Sequence, residues 1–328
     1  NTVTYTGNGS TQTISGIGHQ PDFTWTKVRG ETGSHRLADA VRGNTKYIYS
    51  NGTDAEATVS TNITSWNADG FALGNGSINE NTKSYVSWNW KANGSGSTNS
   101  DGNVDSTVSV NQTAGFSIVK WNGTTNNKTI GHGLGVVPEM VIAKNTGGSG
   151  TNWIVYHKDC SSGYYAKLNL TAAQDNANSY FTADPTNSIL SLTGNTAFNS
   201  SGNAMIAYCF ASKTGYSKFG SYTGNGSANG TFVYTGFKPS FVMIKEISSS
   251  GYQWTIVDNK RSPSNSGSMK WLFPDNSGAE TTESTWDLLS NGFKQRANHS
   301  YVNHSGTHIY MAFGQSLVGS NNIPCTAR

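Results

Sequence analysis

Three histidines near the carboxyl end of the chain form a cluster with spacing that could suit a metal ion. His299, His304 and His308 lie five and four residues apart in the segment NHSYVNHSGTH. Imidazole nitrogen is a common ligand of zinc and other transition metals. A hairpin turning near residues 305–306 would bring His304 towards His308, and several protomers could share a metal on a symmetry axis. The alternative is that all three are exposed loop histidines, and we expect no other cofactor.

The acidic residues do not form a catalytic pair. Glycoside hydrolysis needs two carboxyl groups roughly 5–10 Å apart, one of them with a raised pKa. The nearest candidates are Asp54 with Glu56 and Glu280 with Glu283, which lie in Thr-rich, turn-like segments typical of solvated loop acids. The chain also has no Gly-x-Ser-x-Gly motif of the kind that esterases use. We therefore expect a protein that is not an enzyme.

A glycine-rich segment, GHGLG at residues 131–135, resembles a phosphate-binding loop only at first sight. Such a loop must open a helix, so that backbone N–H groups point at the phosphate. Here Val136, Val137 and Pro138 follow and lead into a strand. The glycines therefore indicate a turn between two strands.

Charge and hydropathy exclude two classes of partner. Lys and Arg total 22 against 19 Asp and Glu, and the densest basic pair, Lys260 with Arg261, lies beside Asp258. A nucleic-acid-binding protein would need a clustered basic face. No apolar run approaches the roughly 20 residues that cross a bilayer. We expect neither nucleic-acid binding nor membrane insertion.

The elements that would carry any site come from a repeated unit. The string YTGNGS occurs at residues 5–10 and again at 222–227, and a degenerate copy begins at Trp121. The aromatic residue is followed by proline after 16, 17 and 17 residues, and that proline by lysine after 6 residues each time. The prolines and lysines are Pro21 and Lys27, Pro138 and Lys144, and Pro239 and Lys245. This constant spacing predicts three tandem units of about 100 residues.

Each unit is predicted to be a β structure. Its apolar runs are four to eight residues long, rich in β-branched and aromatic residues, and separated by Gly, Asn, Asp and Ser clusters. With 13 Phe, 9 Trp and 15 Tyr, each unit has enough large side chains to close its own aromatic interior. The only helical turn that we expect surrounds residues 286–289.

The predicted class is all-β, with three tandem antiparallel β-sandwich domains of jelly-roll or lectin-like kind. The predicted boundaries are repeat 1 at 1–92, a flexible linker at 93–106, repeat 2 at 107–213, repeat 3 at 214–316 and a C-terminal tail at 317–328.

The three cysteines, Cys160, Cys209 and Cys325, are scattered. Cys209 lies in an apolar run, where a small buried thiol is the favoured interpretation. One bridge between Cys160 and Cys209 stays open as an alternative.

The repeat resembles a family of proteins from tail fibres and appendages of marine tailed bacteriophages, especially viruses of cyanobacteria. The segments that carry the resemblance are TIGHGLGVVPEMVIAKN at 129–145, NWIVYHK at 152–158 and YMAFGQSLVGSNNIPCTAR at the carboxyl end. The resemblance implies an oligomeric virion protein, a trimer being the expected state, with a concanavalin-like or jelly-roll fold. It supplies no binding residues. The third unit departs from the pattern, because it lacks the GHGLG turn and has Tyr-Thr-Gly-Phe at 234–237.

Loops rich in Asn, Ser, Gly and Thr with interspersed aromatic residues suit receptor contact, since rigid rings supply area and small polar groups supply adaptable hydrogen bonds. The same composition also suits a merely protease-resistant surface. The predicted contact residues are Trp66, Tyr164, Tyr165, Trp286 and Tyr301. Trp66 and Trp286 each precede an Asn/Asp-Gly-Phe turn, so burial in the core is the alternative for both.

The function that we expect is a non-enzymatic bacteriophage appendage, made in the host cytoplasm and carried on the virion surface. Repeated weak sites would adhere to host-surface glycan or protein through avidity. The expected partners are copies of itself and other virion proteins. The alternatives are a purely structural capsid-decorating fibre or filament subunit, and a carbohydrate-binding array of a secreted bacterial protein.

Overall fold

A computed structural model of the chain describes residues 1–314, apart from positions 178, 263, 264, 266, 268 and 284. The predicted tail at 317–328 and Cys325 lie outside the described residues. Every strand ladder in the described part is antiparallel, and the all-β class is confirmed. Both described helices are four residues long, and no described helix has the length or apolar character that crosses a bilayer.

Unit 1 contains nine strands. The large sheet has the order β1-β9-β3-β4-β5-β6, and a small sheet has the order β2-β8-β7. The bounds are β1 Thr2–Thr6, β2 Gln12–Ile14, β3 Phe23–Val28, β4 Arg36–Asp39, β5 Lys46–Tyr49, β6 Ala57–Thr58, β7 Ile63–Asn67, β8 Gly70–Leu73 and β9 Ser84–Trp90.

Unit 2 contains ten strands and one helix. Its large sheet has the order β10-β11-β12-β19-β14-β15-β16, and its small sheet has the order β13-β18-β17. The bounds are β10 Ser97–Asn99, β11 Ser106–Asn111, β12 Phe116–Asn122, β13 Lys128–Gly131, β14 Met140–Asn145, β15 Ile154–His157, β16 Ala166–Lys167, β17 Phe181–Ala183, β18 Ile189–Leu192, α1 Thr196–Asn199 and β19 Ala204–Phe210.

The described residues of unit 3 form nine strands and one helix. Its sheets have the orders β20-β28-β22-β23, β21-β27-β26 and β24-β25. The bounds are β20 Ser217–Thr223, β21 Phe232–Tyr234, β22 Pro239–Glu246, β23 Thr255–Asp258, β24 Met269–Trp271, β25 Thr281–Glu283, β26 Trp286–Leu289, β27 Gly292–Gln295, α2 Ser300–Asn303 and β28 Thr307–Gly314.

Two local predictions are corrected. The segment expected as a flexible linker, 93–106, contains β10, which pairs with β11 from Ser97 opposite Val108 to Asn99 opposite Ser106. The turn expected to be helical at 286–289 is strand β26, because it pairs with β27 across a tight turn.

The strand that begins after each repeat proline lies at the centre of its large sheet. All six residues of β3 and all six of β14 are buried, as expected for a strand covered on both faces. The outer face packs on the small sheet of the same unit. Its apolar clusters include Ile14 and Phe71 in unit 1 and Leu190 in unit 2.

The inner faces of the three large sheets meet in one shared core. This axial core draws buried residues from all three units, so the expectation that each unit closes a separate interior is corrected. At one level, Trp90, Phe210 and Phe313 occupy equivalent positions in the last strand of each unit. Their ring centroids form a triangle with sides of 6.3, 5.7 and 6.0 Å. Aromatic pairs at such distances stabilise a core beyond simple area burial.

Backbone hydrogen bonds join the units in a closed ring. One bond recurs at each junction, donated by a glycine after the repeat lysine to a carbonyl of the neighbouring unit. The three are Gly33 to Ser277 at 2.8 Å, Gly150 to Thr53 at 2.9 Å and Gly251 to Thr171 at 2.9 Å. In a second set of backbone bonds the other unit of each junction donates the N–H. These bonds run from the N–H of Glu56 to the carbonyl of Thr146 at 2.8 Å, from Gln174 to Ile247 at 3.1 Å and from Glu280 to Arg29 at 2.7 Å. Because unit 1 contacts unit 3 as unit 2 contacts unit 1, the three units surround a pseudo-threefold axis.

Two of the three repeat lysines donate hydrogen bonds across these junctions. Lys27, Lys144 and Lys245 are all fully buried. The Lys144 ammonium donates to the Thr53 carbonyl of unit 1 at 3.2 Å, and the Lys245 ammonium donates to the Thr171 carbonyl of unit 2 at 3.2 Å. Burial lowers the pKa of all three lysines to about 8. Carbonyl oxygens therefore replace water around a buried cation.

At two of the junctions a buried aspartate of one unit accepts a hydrogen bond from a side chain of the neighbouring unit. Asp39 accepts hydrogen bonds from Arg42 at 2.6 Å and from the Tyr208 hydroxyl of unit 2 at 2.8 Å. Asp258 accepts from Arg261 at 2.6 Å and from the Trp88 indole of unit 1 at 3.0 Å. In the third junction His157 takes the place of the aspartate, and its Nε2 lies 3.2 Å from the Tyr310 carbonyl of unit 3.

We predict that Phe210→Ala costs about 3–5 kcal/mol of unfolding free energy, because it removes a ring from the centre of the axial core. The matched control is Phe232→Ala, since Phe232 is 43% exposed and its loss should cost less than about 1 kcal/mol. Denaturant unfolding followed by tryptophan fluorescence measures both. Equal costs for the two variants would contradict the placement of Phe210 on the axis.

We also predict that acid weakens the junction between units 2 and 3. The His157 ring is buried and neutral, with Nδ1 accepting from the Asp159 N–H at 3.2 Å, and burial lowers its pKa from 6.5 to about 4. The unfolded chain binds this proton near pH 6.5. The stabilisation is therefore intact above pH 6.5 and is lost as the pH falls through 4, by at most about 3 kcal/mol.

Denaturant unfolding of the protein and of His157→Gln between pH 7 and pH 4 measures this loss. The variant should show a shallower dependence of unfolding free energy on pH. An unchanged dependence would mean that His157 does not carry the effect.

Candidate functional site

The structure separates the five predicted contact residues into buried and accessible groups. Trp286 is 1% exposed and stacks on Phe293 at 5.6 Å, and Tyr165 is 5% exposed. These two predictions are corrected, because an aromatic ring enclosed in the core offers no face to a receptor. Their burial follows from strand positions that sequence alternation alone did not assign to a face.

The other three predicted contact residues are half-buried and belong to different units. Trp66 packs against the small-sheet core of unit 1, Tyr164 lines a recess in unit 2, and Tyr301 packs against Phe273 in unit 3. The structure therefore does not bring these residues together into one surface. Their role in binding stays a prediction.

The histidine cluster does not form a metal site. Nowhere in the described ranges do three His, Cys, Asp or Glu side chains converge as metal ligands. His299 caps α2, with Nδ1 accepting from the Tyr301 N–H at 3.3 Å. His308 is fully buried and stacked on Tyr222 at 4.9 Å. The prediction of a metal at His299, His304 and His308 is corrected, because two of the rings already pack and hydrogen-bond within unit 3.

The two described cysteines, Cys160 and Cys209, are free thiols, so the bridge left open between them does not form. Burial raises the pKa of each thiol to about 12. A thiol that stays protonated at neutral pH is a poor nucleophile. Neither cysteine is arranged for catalysis.

A cavity of about 310 Å³ with a mixed polar and apolar lining lies where unit 1 meets unit 3, beside the axial rings of Trp90, Phe241 and Phe313. Its lining includes the half-buried histidine His19, whose pKa burial lowers to about 4. None of the lining residues is an acid or a cysteine. The lining therefore offers no carboxyl pair of the kind that glycoside hydrolysis uses.

A groove of about 330 Å³ with a polar and aromatic lining lies at the edge of unit 3. It lies between β20 of the large sheet and β21 of the small sheet. Lys158 and Asp159 of unit 2 form one rim. We call this the edge groove, and the sequence analysis did not identify it.

Exposed rings line the small-sheet side of the edge groove. Phe232 is 43% exposed and Tyr234 is 58% exposed, while Val233 between them is buried. This alternation places both rings on the same face of β21. The Lys218 ammonium lies 5.3 Å from the centroid of the Tyr234 ring and donates to its carbonyl at 2.7 Å. A cation over a ring holds the Tyr234 side chain at the mouth of the groove.

The floor of the edge groove holds the hydroxyl of a buried tyrosine, Tyr310. A Cβ atom at Gly220 would lie 2.8 Å from the Tyr310 hydroxyl, so a glycine at this position leaves room for the Tyr310 ring. Tyr310 is 3% exposed and lines the groove, and no described group hydrogen-bonds its hydroxyl. Burial, followed by the nearby carboxylates of Asp159 and Glu139, raises its pKa. The hydroxyl is thus a protonated donor without a partner in the described part of the chain.

The sequence contained one signal for this site. Tyr234 belongs to the Tyr-Thr-Gly-Phe segment that replaces the GHGLG turn in unit 3. A strand of three residues with aromatic rings at both ends and a buried valine between them predicts two exposed rings on one face.

Neither a curated protein nor a solved structure matches the chain. Residues 1–316 match a family described as DUF7483, a domain of unknown function. This match spans all three units, so the family corresponds to the complete ring and not to a single repeat. The chain belongs to the DUF7483 family.

Proposed function

We propose that the chain is a non-enzymatic appendage protein of a bacteriophage particle that adheres to a host surface through the edge groove. The observation that carries the proposal is the groove itself, where two exposed rings stand beside the hydroxyl of the buried Tyr310, which has no hydrogen-bond partner among the described residues. Exposed aromatic residues combined with unpaired polar groups are typical of recognition surfaces. The resemblance of the repeat to tail-fibre and appendage proteins supports the placement on a virion.

The shared core supports adhesion over catalysis. The described cavities contain no paired carboxylates, activated thiol or metal cluster arranged for chemistry. A ring closed by backbone bonds at every junction holds its surface residues in fixed positions. Such preorganisation lowers the entropic cost of binding.

The proposed ligand class is a host-surface glycan or protein, and other virion proteins are the proposed attachment partners. Several copies on one particle would convert a weak single site into tight attachment. Self-association into a trimer stays a prediction, and a single chain already arranges three related units about one axis.

We predict that Tyr234→Ala lowers retention of the protein on host cells at least tenfold, because it removes the most exposed ring of the groove. Leu170→Ala, which removes an apolar side chain that is 36% exposed in unit 2, serves as the control and should bind as the parent protein does. Pull-down of the fluorescently labelled full chain with marine cyanobacterial cells measures retention.

Absence of retention on cells and on their extracted polysaccharide, with the protein displayed at high valency, would contradict adhesion. Antibody labelling that places the protein along the capsid, combined with absent retention, would favour the alternative of a capsid-decorating fibre.

A further inference from the structure

The edge groove of unit 3 has a counterpart in unit 2 that the chain fills itself. There β11 pairs with the outer edge of β12, from Thr107 opposite Lys120 to Asn111 opposite Phe116. Just before β11, the chain crosses to the small sheet, where the Val104 N–H donates to the Thr129 carbonyl at 3.1 Å. One extended segment, 103–111, therefore bridges the edges of both sheets.

Positions in the two grooves can be matched one to one. In the large sheets, Trp121 of β12 matches Tyr222 of β20, because each lies two residues before the glycine of the repeat. In the small sheets, Ile130 of β13 matches Val233 of β21, because each pairs with the second residue of the next strand, β18 or β27. The covered positions Thr129 and Gly131 in unit 2 are thus equivalent to Phe232 and Tyr234 in unit 3.

The chain packs closely over this position in unit 2. A Cβ at Gly131 would lie 1.5 Å from the side-chain oxygen of Asn99, in strand β10 just before the covering segment. The Ser106 hydroxyl also donates to the Gly131 carbonyl at 2.8 Å. In unit 3 the equivalent position carries Tyr234, which is 58% exposed. Among the residues that the structure describes, the site that is covered in unit 2 is open in unit 3.

The open edge of β20 offers backbone groups for pairing. The Gly314 N–H of β28 donates to the Tyr216 carbonyl at 2.7 Å. In an antiparallel pair every second residue bonds to the partner strand, so residues 218, 220 and 222 are the ones whose backbone groups bond to β28. By alternation, Phe219, Ser221 and Thr223 turn their backbone groups outwards. The Phe219 N–H reaches the Ser212 hydroxyl at 3.3 Å, and the Thr223 carbonyl accepts from the Thr231 hydroxyl at 2.8 Å. Ser221 faces the groove with its N–H and its carbonyl.

The chain itself supplies no strand from the connection between units 2 and 3. In unit 2 the covering segment belongs to the connection from unit 1, which runs from Trp90 to Phe116. The corresponding connection, residues 211–216, is short and turns back on itself, with Lys213 bonded to Ser217 in both directions. It cannot lie along the seven residues of β20.

We propose that the edge groove binds an extended polypeptide strand of a partner protein, which adds to the free edge of β20 and packs apolar side chains at alternate positions against Phe232 and Tyr234. This deepens the proposed function by naming the ligand class of the same site. Segment 103–111 is the template, since Val108 and Val110 alternate with polar residues and contact the small-sheet turn at Gly133. Main-chain bonds supply affinity in such strand addition, and pockets for alternate side chains supply specificity.

The test uses a synthetic peptide of residues 101–112, DGNVDSTVSVNQ, and the full chain, with binding followed by fluorescence anisotropy up to 1 mM peptide. Ser221→Pro removes an outward N–H without removing a ladder bond to β28, and proline is tolerated at such edge positions. Thr4→Pro changes the equivalent outward position of β1 in unit 1 and is the matched control. We expect saturable binding that Ser221→Pro weakens at least tenfold and Thr4→Pro leaves unchanged.

A circular dichroism melt first shows that both variants fold as the parent chain does. Absence of peptide binding at 1 mM, or equal binding by the parent and Ser221→Pro, would overturn the proposal. Binding of host oligosaccharides that Tyr234→Ala abolishes and Ser221→Pro does not would also overturn it, and would leave adhesion standing with a glycan as the ligand. Peptide binding without any retention on host cells would support the strand site and remove the adhesive role.

Discussion

The fold depends on burial of the inner faces of three sheets against one another. A large sheet with apolar side chains on both faces must be covered twice. The small sheet of each unit covers the outer face, and only the other two units can cover the inner face. The rings of Trp90, Phe210 and Phe313, one from each unit, pack against one another and cover part of all three inner faces. A unit taken alone would expose that face to water.

Closure of the ring also explains the buried charges. Asp39 and Asp258 lie at junctions where the partner donor comes from another unit, Tyr208 in one case and Trp88 in the other. A buried carboxylate without its donors is strongly destabilising. These groups therefore favour one arrangement of the units over any slipped packing of similar apolar area. At the third junction His157 stands where the other two have aspartate, and its protonation in acid weakens that junction.

The sequence predicted the parts of the fold that depend on local pattern. The constant spacing from proline to Lys27, Lys144 and Lys245 identified the repeat, and strand composition identified the class. What it could not supply was contact between distant residues. The 93–106 segment reads as a linker because its own composition is polar, yet β10 forms because β11 lies beside it. For Trp286 the sequence indicates the nearby turn but not the sheet that packs over the ring, so its burial is not predictable from local pattern.

The candidate site was the least predictable feature, since it arises from a difference between repeats. In unit 2 the chain covers an edge that the described residues of unit 3 leave open. The sequence of residues 217–234 alone does not predict this difference. The edge groove exists because the connection before β20 is short. Once both units are superposed by their repeat positions, the exposed rings of Phe232 and Tyr234 mark the place of the missing strand.

Differential scanning calorimetry of the full chain tests the shared core most directly. If the three units depend on one interior, they unfold in a single transition whose van't Hoff enthalpy equals its calorimetric enthalpy. Resolved transitions, or a van't Hoff enthalpy near about one third of the calorimetric value, would show that the units are stable separately and would contradict the account.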